Sequence, residues 1–150
     1  MYLRVGQQGL RGPGTHIGYD ARVSYLLIAL GGAIGAVSRA LVGQFVYHLA
    51  SPAFPWSTFV VNVTGCLVFG LIIGASESRL MLSPAARAFV LVGVLGGYTT
   101  FSSFTFETFE LVREGRAGAA LFNSVAQVAL GLAVFWTAWA VARTLAAARP

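Results

Sequence analysis

The sequence predicts an all-α membrane protein with four transmembrane helices per protomer, and three observations lead there. Of its 150 residues 57% are hydrophobic and only 10% are charged, and the mean hydropathy is +0.75. Soluble domains carry about 25% charged residues, so this composition belongs to the bilayer. Apolar stretches fall at about 23–48, 54–75, 88–106 and 117–142, each long enough for a hydrocarbon core that takes roughly 20 helical residues. Neither an internal repeat nor a second, soluble domain is evident, so residues 23–145 read as one four-helix domain.

Ahead of it, residues 1–22 hold Gly6, Gly9, Gly12, Pro13, Gly14, Gly18 and scattered arginine. A signal peptide would place an apolar core directly after its charges, so the segment reads as a disordered N-terminal tail. The first span carries Gly31, Gly32 and Gly35, a spacing that lets another helix come close, and then Arg39. The uncharged loop Ser51-Pro52-Ala53-Phe54-Pro55-Trp56 follows, with Trp56 as an interfacial anchor at the mouth of the second span. That span contains Asn62, Thr64, Gly65, Gly70 and Gly74.

In the second loop Ser83 reads as an N-cap and Pro84 as the first residue of the third helix. The third span is then cut by Gly96-Gly97-Tyr98-Thr99-Thr100-Phe101-Ser102-Ser103-Phe104. Beyond the cut, Glu107, Glu110, Arg113, Glu114 and Arg116 form a charged exit that Gly115 should end. The fourth span has Asn123, Ser124 and Gln127 in its first half, Trp136 and Trp139 near its far end, and residues 146–150 as a C-terminal tail.

All ten basic residues are arginine. With four spans, Arg4, Arg11, Arg22, Arg79, Arg87, Arg143 and Arg149 share one side, against Arg113 and Arg116 on the other, which favours both termini inside. The net charge of +5 therefore follows from membrane topology and calls for no nucleic acid, since no basic patch is interleaved with exposed aromatics. A single cysteine, Cys66, excludes an intrachain disulfide, and neither His16 nor His48 has a partner at ligand spacing. No Walker loop, HExxH, GxSxG or paired intramembrane carboxylate is present, so an enzyme is not expected.

Backbone groups freed in hydrocarbon cost several kcal/mol each unless they find partners. Gly96-Gly97 followed by β-branched Thr99-Thr100 should free carbonyls at mid-span, and free carbonyls are hard oxygen ligands. The run reads either as an ion site, where a small cation such as Na⁺ satisfies several oxygens at once, or as a glycine kink closed by threonine hydroxyls. Phe101 and Phe104, three apart, share a helix face, either as a core or lipid-facing pair or as ring edges offered to an anion. Asn62, Asn123 and Gln127 are intramembrane amides, with Asn123 and Gln127 one turn apart; they read as interhelical glue or as donors that replace an anion's water. Arg39 suits a vestibule or structural role, and Glu107 a cap or pair within the bundle.

Three motifs on three spans, Gly31-Gly32-Ala33-Ile34-Gly35-Ala36-Val37-Ser38-Arg39, Val61-Asn62-Val63-Thr64-Gly65 and the run Gly96 to Phe104 with Glu107, resemble the successive signatures of the Fluc/CrcB fluoride channels. The resemblance covers about residues 23–145. It implies a four-span protomer with a broken third helix in an antiparallel, dual-topology homodimer, in the bacterial cytoplasmic (inner) membrane. Such a dimer exports F⁻ passively through two pores and holds a structural, untransported Na⁺ at its centre. By position, the backbone carbonyls of Gly96 and Thr99 would bind Na⁺, and Phe101, Phe104 and Asn62 would line the fluoride path with Thr100, Ser102, Asn123 and Gln127. Gln127 stands where the family often has serine, and Ala40 where an aromatic is common. Two rival classes remain at this stage: a dimeric four-span multidrug exporter, which would need a carboxylate in the first span, and a non-transporting membrane scaffold.

Overall fold

A computed structural model describes residues 21–78 and 82–148. The tail expected over residues 1–22 lies outside these except at its last two positions, as do Arg79 and Arg149. Four helices are long and apolar enough to cross a membrane, and among the described residues there are no strands. They are Ala21–Leu49, Trp56–Ser78, a third span running from Pro84 to Arg113, and Ala117–Ala147. The last extends beyond the apolar stretch that ends near 142, because Ala146 and Ala147 continue the helix without a breaker.

Connection by short loops makes neighbouring helices antiparallel, yet the closest packing is between alternate, parallel helices: first with third, second with fourth. Glycine explains both pairings. A Cβ on Gly31 would fall on the Phe89 carbonyl, one on Gly35 on the Val94 carbonyl, and one on Gly97 on the backbone of Gly32. The backbones of the first helix and third span thus approach as small residues permit in a bilayer. Between the second and fourth helices, Gly70 lies against the Phe135 carbonyl and Gly74 against that of Trp139, while Cys66 Sγ sits beside Gly131. With the Asn62–Gln127 hydrogen bond, these contacts recur every turn at a sequence separation of 65 residues, a straight parallel ladder.

The loop at 51–55 and the turn at 114–116 lie at one end, joined where Arg116 Nη2 donates to the Ala53 carbonyl. There Trp56 opens the second helix inside an aromatic cluster with Phe54, Phe59 and Phe122, ring centroids 4.6–6.4 Å apart.

The third span holds the molecule's irregularities. Ser83 caps it, its hydroxyl accepting from Ala86 N at 3.2 Å, with Pro84 at the first position. From Arg87 to Leu95 the helix is π-helical, which the sequence did not announce. Gly96–Tyr98 returns to α geometry; Gly96 itself has φ −65° and ψ −35°. Thr99 (φ −79°, ψ 157°) and Thr100 (φ −149°, ψ 117°) are extended, and the helix resumes over Phe101–Arg113. The glycine pair is thus helical and used for packing, and the chain departs from the helix at the threonines. Gly115, at φ 72°, closes the span: its N–H bonds Val112 O at 3.0 Å and the N–H of Arg116 bonds Leu111 O at 2.9 Å, the double bond of a Schellman turn.

Candidate functional site

Two extended residues in the middle of a span leave backbone groups to satisfy. One side chain serves Thr100 completely: Asn62 Oδ1 accepts from Thr100 N at 2.8 Å, and Asn62 Nδ2 donates to Thr100 O at 3.0 Å. Thr100 is also the N-cap of the Phe101–Arg113 helix, its hydroxyl accepting from Ser103 N at 3.2 Å and donating to Ser103 Oγ at 3.0 Å, with Ser102 Oγ 3.3 Å away. Thr99 turns back, its N–H and its hydroxyl both donating to Leu95 O at 3.0 Å. Among the described residues no hydrogen bond is donated to the carbonyls of Gly96 or Thr99. Two oxygens beside the interruption are therefore open to an electropositive partner.

The three intramembrane amides meet in one network. Asn62 Nδ2 also donates to Gln127 Oε1 at 2.6 Å, Gln127 Nε2 to Asn123 Oδ1 at 2.9 Å, and Asn123 Nδ2 to Thr108 Oγ1 at 2.9 Å. Thr108 in turn donates its hydroxyl to Phe104 O at 2.8 Å. Asn123 is 0% and Gln127 7% exposed, so within one chain both are enclosed.

Phe101 and Phe104 stand one turn apart with ring centroids 5.5 Å apart and planes tilted by 47°. Phe101 is 77% exposed, Ser102 is exposed, and Phe104 is half-buried. Beside the extended threonines a hollow of about 380 Å³ is lined by Asn62, Cys66, Thr99, Thr100 and Phe101, together with Phe69 and Phe135. A second hollow of about 210 Å³ lies across the same threonine, lined by Arg39, Ser57, Thr58, Thr100 and Ser103. Thr100 is thus the wall between an aromatic, amide-edged space and one with a guanidinium.

Glu107 pairs within the bundle: Thr58 donates its hydroxyl to Oε1 at 2.6 Å, while the buried Oε2 has no partner among the described residues. Nothing in the sequence marks Thr58 or Thr108 as site residues. A hydroxyl inside an apolar span usually bonds its own preceding turn, as Thr64 Oγ1 does to Val60 O at 2.7 Å, so nothing local marks the ones that reach across. Thr64 also meets Tyr98 Oη at 2.8 Å, tying the second helix to the residue before the extended pair.

The family model described as CrcB-like protein, Camphor Resistance (CrcB), matches residues 26–139. A relative from Acidobacterium capsulatum is 38% identical over 125 residues, spanning 83% of this chain and 100% of its own length. Relatives from Geobacter sulfurreducens and Solibacter usitatus are 44% and 45% identical, covering 80% and 81% of this chain and 97% and 99% of their own. All three bear the name fluoride-specific ion channel FluC.

Proposed function

The chain belongs to the CrcB-like family, and on that premise we propose that it is a fluoride-selective passive channel, not an enzyme, that lets F⁻ leave the cell across the bacterial cytoplasmic membrane. The observation that carries this reading is the hollow at mid-span, edged by Asn62, Thr99, Thr100 and the exposed ring of Phe101. Fluoride is small and tightly hydrated, so its path must offer hydrogen-bond donors and positive ring edges in place of water, without the deep trap of a full charge. Phe101 and Phe104 present such edges, and the hydroxyls of Thr100, Ser102 and Ser103 cluster at the same level.

A four-helix protomer of this size has little room for an interior pore, and a ring as exposed as that of Phe101 fits a path completed by a second copy. The functional unit is an antiparallel homodimer with two such paths, and Arg39 gives the neighbouring hollow a positive potential for the arriving anion. The donor-free carbonyls of Gly96 and Thr99 fit a hard cation: with their symmetry mates they would hold one Na⁺ at the dimer centre. That ion would supply a fixed positive centre that satisfies the freed backbone, without being transported.

The experiment is fluoride efflux from proteoliposomes of the purified protein, followed with a fluoride electrode under a gradient. Efflux well above that of empty liposomes, with chloride left behind, is expected. No fluoride flux would defeat the channel and leave a scaffold or an exporter of larger solutes.

A further inference from the structure

The amide network has a direction, and its two ends fix it. At one end stands the N–H of Thr100, which can only donate; at the other stands the carbonyl of Phe104, which can only accept. Between them every group takes one orientation: Thr100 N to Asn62 Oδ1, Asn62 Nδ2 to Gln127 Oε1, Gln127 Nε2 to Asn123 Oδ1, Asn123 Nδ2 to Thr108 Oγ1, Thr108 Oγ1 to Phe104 O. Reversing any amide would set donor against donor or oxygen against oxygen. The relay leaves the Phe101–Arg113 half-helix at its N-cap, crosses the second and fourth helices, and returns to the same half-helix one turn in.

Asn62 is fully used in this arrangement. Its amide nitrogen has two hydrogens, one on Thr100 O and one on Gln127 Oε1, and its oxygen takes the Thr100 N–H. Nothing is left over for a passing anion. The reach to Asn62 depends on the length of residue 127: a glutamine spans to Asn62 and back to Asn123, whereas a serine would end short of both.

We propose that Gln127 is a positioning residue that locks Asn62 onto the backbone of Thr100, and so fixes the start of the half-helix that carries Phe101 and Phe104. It acts through Asn62 and does not bind the ion. The proposal rests on the reading that the hollow beside Thr99 and Thr100 borders the ion path, but its first test does not involve fluoride.

That test is amide hydrogen exchange on the purified full-length protein, with overlapping peptides that isolate Thr100. Exchange at Thr100 reports the bond to Asn62 Oδ1 directly. In Gln127→Leu it is expected to quicken at least tenfold, while the interiors of the second and fourth helices keep their protection. A merely structural role would instead loosen those helices together. Should Gln127→Leu not yield folded protein, Gln127→Ser, polar but too short, carries the same expectation. Unchanged exchange at Thr100 in a folded variant would overturn the proposal.

The second arm is flux. Gln127→Leu should slow fluoride efflux about tenfold, and should add nothing when Asn62 is already Leu, because residues acting in series are not additive. A full further loss in the Asn62→Leu background would make Gln127 an ion ligand and overturn its positioning role. Faster exchange at Thr100 together with absent flux in the wild type would support the lock and defeat only the channel reading.

Discussion

The two halves of the third span are held by opposite means. Residues 84–98 lie against the first helix through glycines, backbone on backbone, with no side-chain hydrogen bond to that helix among the described residues. Residues 100–113 are held by side chains: Asn62 on Thr100 and Thr58 on Glu107 from the second helix, and Asn123 on Thr108 from the fourth, with Gln127 joining the two asparagines. Close packing tolerates no added volume but is indifferent to chemistry, while the polar attachment tolerates little change of chemistry and fixes direction as well as distance. The extended threonines mark the change from one regime to the other. In the proposed channel the first half is a mount and the second half carries the groups that meet the ion.

The largest expected effect breaks the mount. Gly35→Val places a branched side chain on the Val94 carbonyl and the Tyr98 amide; overpacking against backbone should cost about 3 kcal/mol or more and remove the folded peak on size exclusion. Gly32→Ala, whose Cβ meets nothing within 4 Å, should elute and melt as wild type and so show that close approach, not glycine content, is what matters. The next effect belongs to the other half. Phe101→Ile or Phe104→Ile should reduce fluoride efflux about tenfold, near 1.4 kcal/mol in barrier, with the folded peak unchanged; wild-type rates in both would take the rings out of the path. The smallest effect lies at the far end of the same half-helix. Gly115→Ala forces φ 72° on a residue with a Cβ and should cost about 1 kcal/mol, read as a modest drop in melting temperature with efflux intact.

The helices of spanning length, the Ser83 cap with Pro84, and the Gly115 stop were legible because each depends on local chemistry: a run of apolar residues, a hydroxyl before a proline, a glycine after the last turn. The glycines at 31 and 35 were legible as an approach face for the same reason. The π-helical stretch Arg87–Leu95 was not, since apart from Gly93 its residues are ordinary helix and strand formers and none of them marks a change of helical register. Gly96-Gly97 looked like the place where the chain leaves the helix; packing on Gly32 keeps Gly97 helical, and the departure waits for β-branched Thr99 and Thr100, whose freed groups have Asn62 in reach. Asn62, Asn123 and Gln127 could be named as polar residues needing partners, but that they need one another across 65 residues of sequence is tertiary information.

The parallel ladder between the second and fourth helices has a consequence for biogenesis. Each rung of the second helix finds its counterpart 65 residues later, and at about 5–20 residues per second the ribosome needs roughly 3–13 s to make that distance. For that interval the second helix sits in the bilayer with Asn62 short of its glutamine and with Gly70 and Gly74 facing lipid. The nascent protein must therefore cross a brief, incomplete stage in which three helices are inserted and the second still lacks its closest partner. A chain stopped before the fourth helix would remain at that stage, with the amide and glycine rungs of its second helix uncovered.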